Sequence, residues 1–130
     1  MIERWPGTVD GRSRAVTHQQ LGWIVATASD ATAPLAVQIE STLDNLDLRL
    51  HEIGSSRLTL LSVQVFLSAL TDKPQFDEAW EPWIGANPAH WPQRVCVGVA
   101  LSGGLRIELA AVALRSASGN EGQISQRSLR

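Results

Sequence analysis

Trp91-Pro92-Gln93-Arg94-Val95-Cys96-Val97-Gly98-Val99-Ala100-Leu101, then Ser102-Gly103-Gly104 and Leu105-Arg106-Ile107-Glu108-Leu109, is the stretch on which the fold turns. Two apolar runs of period-2 character flank a glycine pair, the pattern of an antiparallel hairpin. A two-residue loop at Gly103-Gly104 would mix charged and apolar residues on both faces. A three-residue loop, Ser102 to Gly104, pairs Leu101 with Leu105 and sorts them. One face then holds Val95, Val97, Val99 and Leu101 with Leu105, Ile107, Leu109 and Ala111. The other holds Arg94, Cys96, Gly98 and Ala100 with Arg106, Glu108, Ala110 and Val112. A one-residue slip turns a whole strand over, so the three-residue register is expected.

That register puts Arg94 and Glu108 on one face among small residues, a floor for packing or binding rather than a solvated surface. The two are then about 13 Å apart along the strands. A small substrate would hardly reach both within one subunit, so a pocket completed by a second copy is expected.

Working outward, Pro6-Gly7 and Asp10-Gly11 are turn signals, and the chain up to about Gly11 is expected to be irregular. Arg14 to His18 and Trp23 to Thr27 read as two strands joined at Gln19-Gln20-Leu21-Gly22. Pro34 suits a first helical position. Leu35, Ile39, Leu43, Leu46, Leu50 and Ile53 recur at helical spacing, and Gly54 is a natural stop. Leu58 to Leu67 reads as a strand with Leu61, Val63, Val65 and Leu67 on one apolar face. A second helix opens at Thr71-Asp72-Lys73-Pro74 and buries Phe76, Trp80, Trp83 and Ile84. Pro82 falls inside it and is expected to kink or shorten it. The order is ββαβαββ, an α+β sandwich of one mixed or antiparallel sheet with both helices on one face. Residues 1–115 form one domain, and 116–130, rich in Ser, Gly and Gln, a flexible tail. The uncovered sheet face calls for a partner, most simply another copy.

The 130 residues carry a net charge of −2 and no Lys/Arg cluster, which argues against nucleic acid as a partner. No apolar run approaches the roughly 20 residues of a membrane span, and no secretory leader is expected from the first residues. A single cysteine fits a reducing, cytoplasmic setting. His18, His51 and His90 lack metal-ligand spacing, so no metal is expected. Cys96 has no histidine placed to activate it and reads as a buried strand residue. Trp80 and Trp83 read as core; Trp91 could reach a pocket rim.

Three features resemble the reactive intermediate deaminase family, the Rid or YjgF-like proteins. They are the element order, the run Val63-Gln64-Val65-Phe66-Leu67 before Asp72 and Phe76, and above all Trp91-Pro92-Gln93-Arg94-Val95-Cys96-Val97 followed by Arg106-Ile107-Glu108-Leu109-Ala110-Ala111-Val112-Ala113. Ala79-Trp80-Glu81-Pro82-Trp83 is closer to the YoaB-like branch. The resemblance covers roughly Arg14 to Arg115. It implies a chorismate-mutase-like fold, a homotrimer with pockets between subunits, and hydrolysis of 2-imino or enamine acids to 2-keto acids and ammonia without a cofactor. Arg94 would clamp the substrate carboxylate. Glu108 would orient or deprotonate the attacking water. Cys96, Thr27, Ala28, Asp77 and Trp91 would line the pocket. Against the family pattern, Gln93 replaces a small residue and Asp77 an asparagine. Ala28 replaces a glycine, and an aromatic near Arg12 to Arg14 is missing. Two other classes stand beside this one: a non-catalytic module binding a small carboxylate or a protein, and a specialised hydrolase on the same fold.

Overall fold

The computed structural model describes residues 1–116. Its elements are β1 (Ile2–Pro6), β2 (Ser13–His18), β3 (Leu21–Thr27), α1 (Leu35–Glu52), β4 (Leu60–Leu67), α2 (Lys73–Ile84), β5 (Gln93–Gly98) and β6 (Ile107–Leu114). The strands form one mixed sheet in the order β1-β2-β3-β6-β4-β5, with both helices packed on one face, as the sequence predicts. One strand was not expected. Ile2–Pro6, read as irregular, pairs antiparallel with β2 and forms one edge of the sheet. Of the predicted flexible tail, Ser116 donates its N–H to Gly54 at 2.9 Å, and residues 117–130 lie outside the described residues.

The predicted terminal hairpin does not form. β5 pairs parallel with β4 across the α2 crossover, and β6 pairs antiparallel with the opposite side of β4. The link between them passes over the end of β4. Val99 N–H bonds the Leu67 carbonyl at 2.9 Å, and Ser68 N–H bonds the Arg106 carbonyl at 3.0 Å. Gly103, with φ +62°, does turn the chain, but within this bridge rather than between paired strands.

The face assignment changes with it. Ile107, Leu109 and Ala111 of β6 point into the core, as expected. On β5, however, Arg94, Cys96 and Gly98 stand in register with Val63, Val65 and Leu67, which are fully buried. Arg94 and Cys96 therefore face the helices, while Val95 and Val97 lie on the open face, 50% and 39% exposed. Glu108 is paired with Phe66 and Thr27, also on the open face. Arg94 and Glu108 thus lie on opposite sides of the sheet, contrary to the expected register. A smaller correction concerns β4: a bulge between Leu60 and Ser62 turns Leu61 outward and puts Leu60 in the core.

The helices follow their sequence signals closely. Leu35, Ile39, Leu43, Leu46, Leu50 and Ile53 are all buried. Pro34 is the N-cap rather than the first helical residue. Gly54, φ +79°, ends α1: its N–H bonds the His51 carbonyl and Ser55 N–H the Leu50 carbonyl, a Schellman closure. Pro82 neither kinks out α2 nor stops it; the helix runs two residues further, to Ile84. It lies in the final turn, where one missing N–H interrupts little.

One buried polar residue that the apolar periodicity hid joins the parts. Gln38 of α1 is 1% exposed. Its amide donates to the carbonyls of Ala31, Ala33 and Gly104, and its oxygen accepts from Arg106 N–H at 2.9 Å. Gly104 belongs to the same junction, since a Cβ there would sit 2.3 Å from the Ala31 carbonyl oxygen. Replacing Gln38 by Ala strands these backbone groups in the interior, at about 2–4 kcal/mol. Urea unfolding is expected to show that loss, whereas the exposed neighbour Val37→Ala stays within about 0.5 kcal/mol of wild type.

Candidate functional site

β5 runs along the edge of the sheet beside α2, so its helix-side residues meet an aromatic stripe rather than the aliphatic core. The Arg94 guanidinium lies 5.4 Å from the ring centroids of both Phe76 and Trp80, close enough for cation–π attraction. Its Nη2 donates to Asp77 Oδ1 at 2.7 Å, and Asp77 Oδ2 accepts from Lys73 at 2.9 Å. Lys73 and Asp77 are one helical turn apart on α2, so the helix itself brings them together. Arg94 makes no other hydrogen bond among the described residues, which leaves the rest of its donor fork unused.

Burial pulls Asp77 upward, but the bonds from Lys73 and Arg94 outweigh it, and its carboxyl titrates below the usual value of 3.8. Asp77 is therefore charged at neutral pH, and the local cluster is two cations against one anion. Burial pushes the neighbouring Cys96 thiol up, more than Arg94 and Lys73 pull it down. Cys96 is thus a poor nucleophile at neutral pH, as its surroundings in the sequence suggested.

Arg94 and Asp77 stand at one end of a cavity of about 760 Å³ walled by Trp80, Pro82, Ile84 and Trp91. The Trp91 indole N–H bonds the Gly85 carbonyl at 2.8 Å, and Gly85, φ +87°, turns the chain so that this carbonyl is presented. The geometry thus gathers four of the predicted residues: Arg94, Asp77 and Trp91 at the cavity, with Cys96 beneath.

The other three lie elsewhere. Thr27 and Glu108 are cross-strand partners on the open face and line a second cavity, of about 400 Å³, with Arg12 and Arg14. Ala28 lies beside Thr27 in the adjoining hollow. Arg14 is held by Glu52 at 2.7 Å. Arg12 and Glu108 have no side-chain hydrogen bond or ion pair among the described residues. Arg12 was missed as a site residue; the only sequence signal was the absent aromatic at that place. A second arginine, without an ion pair among the described residues, thus lines the same cavity as Glu108.

Most other arginines are committed to carboxylates: Arg49 and Arg14 to Glu52, Arg57 to Asp47, Arg106 to Asp72, and Arg115 to Glu3. Among the described residues no cluster could hold a metal ion, and no helix is long and apolar enough to cross a membrane.

Comparison with known proteins agrees with the fold. The family described as Endoribonuclease L-PSP matches residues 13–115. A RutC family protein from Haemophilus influenzae is 34% identical over 47 residues, 36% of this chain and 40% of that protein's length. The RutC family protein YoaB of Escherichia coli is 27% identical over 89 residues, 68% of this chain and 76% of its own. A crystal structure of a YjgF family member from Neisseria meningitidis shares the fold, with a TM-score of 0.80 over 89% of this chain and 96% of that one at 23% identity.

Two outcomes test the electrostatics. Asp77 and Arg94 are part-buried, so Asp77→Asn is expected to cost about 1 kcal/mol at pH 7. The Asp77 carboxyl is depressed in the fold, so its contribution is present above pH 3.8 and lost as pH falls through the lower folded value. Unfolding of wild type and variant should therefore converge in acid; a gap that persists there would refute the ion pair. For Cys96, whose thiol is pushed up by burial, iodoacetamide at pH 8 is expected to react more slowly than with a free thiol.

Proposed function

The chain belongs to the Endoribonuclease L-PSP family, which includes the YjgF and Rid proteins, and we propose that it hydrolyses 2-imino or enamine acids to 2-keto acids and ammonia, at sites completed between copies. The observation that carries this reading is Arg94, a guanidinium stacked on two aromatic rings, facing a cavity with most of its donors unused. That is a carboxylate receptor. A planar fork of this kind binds a carboxylate in two parallel hydrogen bonds and so fixes the orientation of the carbon beside it.

Glu108 supplies the second function from another copy. It takes a proton from water as the oxygen bonds to the imine carbon, and the C=N π pair moves to nitrogen. That proton is returned to the nitrogen, giving a carbinolamine; the hydroxyl's proton then passes to the amine as its oxygen forms the C=O bond, and the C–N bond breaks to release ammonia and leave the ketone. Arg12, beside Glu108 in the groove, is placed to steer an anion toward that face.

The open face supports assembly. Trp23, Val25, Val95, Val97 and Leu114 are each exposed by 39% or more on one side of the sheet, an apolar surface that a second copy would cover. The family description names a ribonuclease; besides Arg94, five of the arginines among the described residues are paired to carboxylates and the net charge is −2, which does not favour a phosphate backbone as the ligand.

A second reading rests on Asp77. It already occupies one Arg94 donor, which suits a module that binds a carboxylate weakly without turning it over. A coupled assay separates the two. An amino-acid oxidase generates 2-imino acids, semicarbazide competes for them, and keto-acid release is followed. Wild type is expected to accelerate release; Arg94→Ala and Glu108→Gln are each expected to lose at least about a hundredfold in kcat/KM. An unaccelerated wild type would favour the binding module. Val112→Lys, on the open face, is expected to give monomers in light scattering and to abolish activity together with assembly.

A further inference from the structure

The cavity beside Arg94 is far larger than a carboxylate needs, and its walls are specific. Trp80 is fixed by tilted stacking with Phe76 at 5.9 Å and Trp83 at 5.4 Å between ring centroids. Trp91 is half-exposed, yet its ring is pinned by the bond to the Gly85 carbonyl. Between them lie Pro82 and Ile84, both apolar. A pre-set wall of this kind loses little entropy when a flat apolar group enters. The volume, about 760 Å³, falls within the range of roughly 300–1,000 Å³ for small-molecule sites, and an alanine-sized ligand would leave most of it to water. The charges narrow the choice further. Besides Asp77, Glu81 lines the cavity, so a ligand's second carboxylate would meet anions there.

Resting on the reading of Arg94 as the carboxylate receptor, we propose that this cavity is a side-chain subsite selecting monocarboxylates with a large aromatic or branched apolar side chain, and excluding dicarboxylates. Trp91 and Glu81 are its specificity-determining residues. In the hydrolytic reading, the favoured substrates are imines derived from amino acids of the phenylalanine, tryptophan and leucine type.

Binding of unreactive carboxylates tests this without any turnover. Titration calorimetry on the assembled protein would compare 3-phenylpropionate, propionate and glutarate. Phenylpropionate is expected to bind at least about tenfold more tightly than propionate, in line with burial of a phenyl ring. Trp91→Ala should remove most of that advantage while leaving propionate unchanged, and Trp91→Phe should restore part of it. Glu81→Gln should strengthen glutarate alone. Equal affinities for phenylpropionate and propionate, or a ratio untouched by Trp91→Ala in a variant that melts like wild type, would overturn the proposal. Aromatic selectivity without imine hydrolysis would leave the subsite standing and remove the deaminase reading. Hydrolysis without side-chain preference would do the reverse.

Discussion

The placement of β4 between β5 and β6 governs the molecule. Parallel pairing on one side and antiparallel pairing on the other put Val63, Val65 and Leu67 at the centre of the core. The same pairing sends Arg94 toward the helices and Glu108 away from them. Successive residues of a strand point to opposite faces, and Arg94 and Glu108 take opposite parities across the sheet, so no side-chain rotation within a protomer brings them to a common floor. Chemistry that needs both must draw them from different copies. The apolar open face supplies a physical reason for copies to meet, because Trp23, Val25, Val95 and Val97 are left exposed among the described residues.

Much of this was legible in the residues. The helices were, because six apolar positions at helical spacing admit one stripe and Gly54 an evident stop. The hollow beside Arg94 was not, since the expected register put Arg94 on the open face and Trp80, which walls the hollow, read as core. The terminal hairpin was not. The Gly103-Gly104 turn and two alternating strands fit a hairpin locally, and nothing short-range says that β4 lies between them. Val95, Val97 and Val99 misled in an instructive way. Alternating valines are expected to mark the core face, yet on this edge strand Val95 and Val97 lie on the open face. The expected register and the observed one separate Arg94 from Glu108 for different reasons, distance along the strands in the first and opposition of faces in the second.

Gln38 and Asp77 show what single residues conceal. Gln38 lay outside the predicted apolar stripe of α1, and its role depends on two loops, at 31–33 and 104–106, that meet only in the fold. By anchoring the bridge over β4, it holds the start of β6 and hence Glu108. Asp77 was visible as a change of charge, and the fold gives it a partner on each oxygen. Lys73 holds one Asp77 oxygen independently of Arg94, so Asp77 would keep a cationic partner if Arg94 turned to a ligand.

The claim that Arg94 and Glu108 act from different copies is tested most directly by mixing two inactive proteins. Arg94→Ala and Glu108→Gln chains would be unfolded together, refolded at equal concentration, and assayed for imine hydrolysis. Random assembly places an intact Arg94 opposite an intact Glu108 at about a quarter of the interfaces, and roughly that share of wild-type activity is expected to return. No recovery, in mixtures shown by mass to contain both chains, would contradict a shared site.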